Sequence, residues 1–203
     1  MKTGWDARYD GKDYLFGTSP AAFLAAREDL LIANAGKSAL AVADGEGRNS
    51  VFMAQCGLDV TSMDTSAVGL AKARALAAQA DVSVSFHLAD LQAWDWSEDA
   101  FDIVVAVFIQ FADPAFRTAI FEGMKKTVKP GGLILLHGYT PKQIDYGTGG
   151  PRIAENLYTS ELLKTAFADF EILDLTAYDK HIKEGSGHAG TSALIDLVAR
   201  KPV

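Results

Sequence analysis

Short apolar runs alternate along this chain with longer helical stretches, and that rhythm predicts a parallel sheet covered by helices. Pro20 predicts the start of a helix reaching about Ala33. Ala39 to Ala43 reads as a strand buried on both faces, followed by a helix from Gly47 to Gln55 and a second strand from Leu58 to Met63. Ser66 is placed to cap the alanine-rich helix Ala67 to Ala80. Val82 to Leu88 alternates with period two, as a third strand does, and ends in Ala89 and Asp90. The unbroken apolar run Phe101 to Phe108 belongs at the centre of the sheet. Pro114 opens another helix, which the KPGG segment, Lys129 to Gly132, terminates. Gly132 to His137 is then a fifth strand, Gly138 to Pro151 a glycine-rich loop, and Thr159 to Ala168 a helix. Glu171 to Tyr178 and Ser192 to Arg200 close the chain as two strands around the glycine-rich connection Glu184 to Gly190.

Composition narrows the functional classes. The sequence has 203 residues, enough for one domain with a substantial core. A formal charge of -7 argues against general nucleic-acid binding, and the only basic cluster, Lys125, Lys126 and Lys129, falls in the last turn of a helix, where cations offset the dipole. No apolar run has the length of a membrane span, and the segment before Pro20 is too polar and aromatic for a signal peptide, so a cytoplasmic location and a small-molecule substrate are expected. Cys56 is the only cysteine, which rules out an internal disulfide and a thiolate metal cluster. No metal site is expected.

The richest stretch is Leu40 to Asp64, LAVADGEGRNSVFMAQCGLDVTSMD: a strand, a glycine turn, a helix start, a second strand and a terminal acid. Gly45 and Gly47 let backbone approach a ligand closely, and the helix that opens there points free N–H groups at the same place. Asp64 ends the second strand, where a carboxylate can accept both hydroxyls of a ribose. These are the parts of a nucleoside-binding βαβ unit.

Five β/α units closed by a pair of strands depart from the plain dinucleotide fold. With GEGRN at Gly45 to Asn49, a WDxRY-type start at Trp5 to Tyr9 and a YxxGTxP-type segment at Tyr14 to Pro20, the chain resembles the class I S-adenosylmethionine-dependent methyltransferases over essentially its full length, and most closely their small tellurite-resistance-like branch. The resemblance implies an α/β fold: a three-layer Rossmann-like seven-stranded sheet, mostly parallel with the last strand antiparallel. It implies one methyltransferase domain over 1–203, with 1–35 as an N-terminal lid. It also implies S-adenosyl-L-methionine as cofactor and S-adenosyl-L-homocysteine as product. The backbone at Gly45, Glu46 and Gly47 would line the methionine and ribose side. Asp64 would take the ribose, with Thr65 beside the adenine, Asp90 accepting from the adenine amine, the N–H of Leu91 donating to a ring nitrogen, and Phe108 closing over the cofactor.

The chain departs from that family's first motif. The usual acid and first glycine are Ala41 and Ala43, so the carboxylate that holds the methionine ammonium is missing, and Asp44 is the candidate replacement. On the acceptor side the sequence lacks an NPPY-type segment and an HxxxD metal motif; the fourth strand ends VFIQFADP, Val107 to Pro114. A thiol or chalcogen acceptor needs no dedicated base, whereas a hydroxyl or amine benefits from one. His87 and His137 read as packed structural histidines. His188, in EGSGHAG, is the candidate for contacting the substrate, because tellurite-type relatives also place a histidine in this hairpin. Trp5, Tyr9, Tyr14 and Phe16 either close over the cofactor as a lid or cover a sheet edge. Trp94 and Trp96 read as surface packing. Two other classes stay open: a nicotinamide-dependent oxidoreductase, against which Ser50 stands where glycine or alanine is needed, and a non-catalytic S-adenosylmethionine-binding protein.

Overall fold

The computed structural model describes residues 4–203; the first three residues of the expected lid lie outside the described residues. The elements run α1 (Gly4–Tyr9), α2 (Ala22–Ala25), α3 (Glu28–Ile32), β1 (Ser38–Val42), α4 (Arg48–Gln55), β2 (Asp59–Asp64), α5 (Ala67–Gln79), β3 (Ser85–Leu88), β4 (Phe101–Val107), α6 (Pro114–Thr127), β5 (Val128–Tyr139), α7 (Gln143–Tyr146), a 3-10 turn at Ala154–Asn156, α8 (Ser160–Ala166), β6 (Glu171–Glu184) and β7 (His188–Arg200). The strands form one seven-stranded sheet in the order β3-β2-β1-β4-β5-β7-β6. This is the expected three-layer, Rossmann-like α/β class, with β7 antiparallel to β5 and the apolar run of β4 in the middle position.

Two compact units divide the chain, one running through Asp95 and including Glu184–Gly187, the other comprising Trp96–Lys183 and His188–Val203. In the first, β1 pairs in parallel with β2, Leu40 opposite Thr61, and β2 with β3, Asp64 opposite Leu88. The helix expected from Pro20 to Ala33 is instead two short pieces, α2 and α3, that meet at Ala26 and Arg27. Ser66 caps α5 as its sequence position predicts, its hydroxyl accepting from the N–H of Gly69. The alanines of α5 have a packing role as well as a propensity advantage: Ala73 is fully buried against Gly47, where a Cβ on residue 47 would lie 2.5 Å from the Ala73 Cβ. Strand β3 is shorter than its alternation suggests, because Val82 packs with Val51, Leu76 and Ala77 before pairing begins.

In the second unit β4 pairs in parallel with β5, and β5 pairs antiparallel with β7. Asp113 accepts from the N–H of Phe116 and Pro114 occupies the first turn of α6, so this helix start is set locally. Trp96 lies against Gly123 of α6, the only kind of residue that leaves room for the indole there. The KPGG segment does not stand outside the strand as expected. Phe101 pairs with Val128 and Ile103 with Leu133, so β5 bulges across Lys129–Gly132 and continues. Gly131 and Gly132 hydrogen-bond Lys201 on the bulge, which keeps its backbone satisfied. The last two strands are likewise longer than their patterns suggest, since pairing extends to a short turn at residues 185–187. Two members of the basic cluster are spent on structure: Lys125 pairs with Asp169 and Lys129 with Asp102.

Gly47 has φ 88° as well as the close approach to Ala73, so Gly47→Ala should destabilise the protein by about 1–3 kcal/mol through overpacking and left-handed strain. Urea titration would read this as a lower midpoint. An unchanged midpoint would contradict the packing described.

Candidate functional site

The turn after β1 follows a left-handed course, with Ala43 at φ 49°, Gly45 at 60° and Gly47 at 88°. Ala43 stands where the motif's first glycine is expected, and a non-glycine residue there costs roughly 1–2 kcal/mol. The turn is held from the end of β2. Asp64, 5% exposed, accepts from the N–H of Gly45 at 2.8 Å and of Ser66 at 2.8 Å, one on each oxygen. Burial pushes its carboxyl up, and these N–H groups pull the other way. An ionised carboxylate has further lone pairs, so Asp64 remains able to accept a diol. Gly45, packed beneath the Tyr9 hydroxyl, and the nearby Asp44 lie beside it, so two carboxylates able to accept a diol and an ammonium stand at this turn.

Asp44 faces the helix start. One of its oxygens accepts weakly from the Ser50 N–H at 3.3 Å and from the Ser62 hydroxyl at 3.4 Å. Burial pushes its carboxyl up to about 6, with Ser50 opposing and Asp64 adding to the rise. Ser62, fully buried on β2, is a partner the sequence did not advertise.

The polar side chains of GEGRN reach into the N-terminal segment, directly or through Glu184. Glu46, 3% exposed, accepts from the Leu15 N–H at 2.8 Å and pairs with Lys72 at 2.8 Å, while Lys72 also donates to the Asp13 carbonyl. Asn49 accepts from the N–H of Ala21. Arg48 pairs at 2.8 Å with Glu184, whose other oxygen accepts from the Ala22 N–H. The turn that follows Glu184 packs on the same segment: Gly187 donates to the Leu15 carbonyl, and a Cβ on Gly185 would lie 2.3 Å from that oxygen. Ahead of this strap, α1 is docked by Asp6, which accepts from the Ser66 hydroxyl at 2.6 Å and the Val68 N–H at 3.2 Å. Tyr9 is buried against the glycine turn, its hydroxyl 2.5 Å from where a Gly45 Cβ would be. Burial, then the charges of Asp64 and Glu46, push that hydroxyl's pKa up. Trp5 stacks on Tyr9, with the Arg8 guanidinium over the Trp5 ring. Tyr9, one of the aromatics expected over the cofactor or a sheet edge, thus covers the turn, and Asp6 and Glu184 are residues of this cover that the motif reading missed.

Thr65 follows Asp64 and is half-buried, and Leu91 is buried. Asp90 is exposed and accepts from the Gln92 N–H at 2.9 Å, closing its own turn. His87, expected to be packed, is exposed on β3 beside Ser85 and Trp94, because β3 is mostly exposed.

The second unit gathers the remaining candidates around Phe108. This residue leaves β4 at φ 57° and donates its N–H to the His137 carbonyl. Its ring centroid lies 4.2 Å from that of His188, 4.6 Å from Tyr139 and 4.7 Å from His137. His188 is therefore buried, whereas His181, its companion in the hairpin, is exposed. Gln110 braces the cluster by exchanging two hydrogen bonds with the backbone of Tyr139, as a strand neighbour would. His137 holds Asp196 at 2.7 Å across the β5–β7 ladder.

Comparison with known proteins bears on the fold and the domain. Residues 39–132 match the family model of a methyltransferase domain. No curated protein sequence matches the chain. Among solved structures, one described under the conversion of a disulfide bond into a thioacetal group during echinomycin biosynthesis superposes with TM-score 0.79 at 16% identity, covering 98% of this chain and 90% of that one. TehB from Haemophilus influenzae superposes with TM-score 0.70 at 21% identity, over 88% of this chain and 61% of that one. The magnesium protoporphyrin IX methyltransferase ChlM from Synechocystis PCC 6803, solved with bound SAM, gives TM-score 0.65 at 16% identity over 88% of this chain and 77% of that one. The match covers a methyltransferase domain over residues 39–132, and the superpositions show the fold that goes with it. No described helix is long and apolar enough to cross a membrane.

The raised pKa of Asp44 has a definite sign. A carboxyl that ionises near 3.8 when unfolded and about 6 when folded opposes folding as it ionises, so its contribution to stability falls as pH rises through that window. Asp44→Asn should therefore gain on the wild type in Tm between pH 4 and pH 7. A difference in Tm that stays constant with pH would contradict the burial of this carboxylate.

Proposed function

We propose that this chain moves a methyl group from S-adenosyl-L-methionine to a small-molecule acceptor by in-line displacement, with thiols and chalcogen oxyanions favoured as in the small tellurite-resistance-like branch. The observation that carries the reading is the carboxylate of Asp64 clamped onto the glycine turn by the N–H groups of Gly45 and Ser66. When bound, S-adenosylmethionine supplies a methyl group already activated by its sulfonium. Asp64 accepts the ribose hydroxyls, Gly45, Glu46 and Gly47 offer backbone, and Thr65, Asp90 and Leu91 take the base. Asp44 stands in for the missing motif acid and holds the ammonium. Tyr9 and the strap behind it keep water from the turn, which serves a displacement that needs alignment more than acid or base. His188 contacts the acceptor. The chain works as one domain, 1–203, with 1–35 as its lid, in the cytoplasm, without nucleic acid or membrane.

The alanines at 41 and 43 favour one second reading, a protein that binds S-adenosylmethionine without turning it over. Labelled methyl transfer to thiols, selenite, tellurite and cell extract separates the two: any methylated product removes the second reading, and S-adenosylhomocysteine binding without product removes the first. His188→Ala should cut turnover and leave cofactor affinity unchanged. Asp44→Ala should weaken S-adenosylmethionine binding by at least about 1–3 kcal/mol, the worth of a charged hydrogen bond. Because Asp44 is partly protonated near pH 6, binding an ammonium there should release a proton, readable by calorimetry in buffers of different ionisation enthalpy. Equal affinity in Asp44→Ala, or release of the proton without Asp44, would overturn its role.

A further inference from the structure

Strand β6 lies at one end of the sheet, so one of its edges has no neighbouring strand. At 14 residues it far exceeds the roughly five or six usual for a strand. A long edge of this kind carries a row of backbone donors and acceptors that can take up another strand, and proteins commonly avoid it by shortening or bulging the edge. Most side chains between Glu171 and Lys183 are exposed, Leu173 at 43% among them. Charge is distributed along the strand with a symmetry of its own. Acids stand at Glu171 and Asp174 near the start, and lysines at Lys180 and Lys183 near the end. Glu171 has an exposed partner in Arg200 at 3.2 Å, and Asp174 accepts from the Thr176 hydroxyl at 2.7 Å. Among the described residues neither lysine forms an ion pair. Asp179, between the two groups, is occupied by Lys142 and Tyr146.

We propose that β6 is an interface between two copies of this chain, paired antiparallel with itself about a two-fold axis at Ala177. A two-fold axis perpendicular to a continuous sheet keeps each face of the strand on its own side, so facing residues lie an even number of positions apart. About Ala177 this sets Glu171 opposite Lys183 and Asp174 opposite Lys180, and the symmetry repeats each pair. Ile172 meets Ile182, and the small, exposed Ala177 meets its own copy. No like charges face each other in this register. Axes at Asp174, Leu175, Asp179 or Lys180 would each set like charges face to face, which destabilises a strand pair. Axes at Thr176 or Tyr178 would spend Lys180 on Ile172 or on Thr176. The strand thus carries its own complement, which favours a second copy over an unrelated extended peptide. Backbone hydrogen bonds supply the attachment and the charge pairs select the register. Such exposed pairs are screened by ions, so salt weakens the dimer.

Sedimentation of the full chain over a dilution series, at low and high salt, tests the interface. The wild type should form a dimer that dissociates on dilution and dissociates more readily in high salt. Lys180→Glu combined with Lys183→Glu puts acids opposite Asp174 and Glu171, and should raise the dissociation constant on the order of tenfold or more. Cross-linking reads the register directly, because Cys56 is buried and an introduced surface thiol is the reactive one. Facing Cα atoms of an antiparallel pair lie about 4.5–5.5 Å apart, within disulfide reach, so Ala177→Cys should form a covalent dimer on oxidation. His181→Cys, equally exposed but far from its own copy in this register, should not. The proposal falls if the wild type stays monomeric throughout, in which case the lysines only guard the edge. It also falls if Ala177→Cys fails to cross-link, if His181→Cys cross-links as readily, or if the double lysine variant dimerises as tightly as the wild type.

Discussion

The clamp of Asp64 on the glycine turn is the interaction on which the rest of the amino-terminal half depends. A turn that passes through positive φ at Ala43, Gly45 and Gly47 leaves the regular strand and helix geometry on either side of it. Asp64 satisfies the Gly45 N–H at 2.8 Å from the end of the neighbouring strand, and the β1–β2 register places it there. The cost of burying this carboxylate is partly offset by its backbone donors, which also fix where its remaining lone pairs point.

With the backbone of the turn so held, its side chains are available for another purpose. Glu46, Arg48 and Asn49 each reach outward to the segment between Asp13 and Ala22, directly or through Glu184. GEGRN therefore reads as two superimposed functions: glycines whose missing Cβ lets Tyr9 and Ala73 pack on the turn, and polar side chains between and after them that tie down a strap. Lys72 on α5 belongs to the same network, so the helix that packs against Gly47 also anchors the strap through Glu46. Tyr9, seated against Gly45, is the point where that cover meets the turn.

Features set by neighbours in sequence were legible, and features set by distant partners were not. The seven-strand class, the Ser66 cap, the helix start at Pro114 and the Gly45–Asp64 unit each follow from a local pattern of apolar runs, capping residues and glycines. The KPGG bulge was misplaced because its backbone is satisfied by Lys201, far along the chain. The helix after Pro20 was overestimated because Asn49 and Glu184 hold its start in a strap. His137 looked like any packed histidine. A signal for its partner was present, since Asp196 interrupts the apolar run Leu194 to Ala199, but only the β5–β7 register shows that the two residues meet.

Calorimetric titration of S-adenosylhomocysteine into the wild type and into Asp64→Asn bears most directly on the central claim, that the clamped turn is a nucleoside site. The account predicts saturable binding by the wild type and a loss of about 1–3 kcal/mol or more in the variant, since an amide in place of the carboxylate lacks the charge and part of the accepting capacity that a ribose and the Gly45 N–H both use. Equal affinity in the two proteins would contradict it.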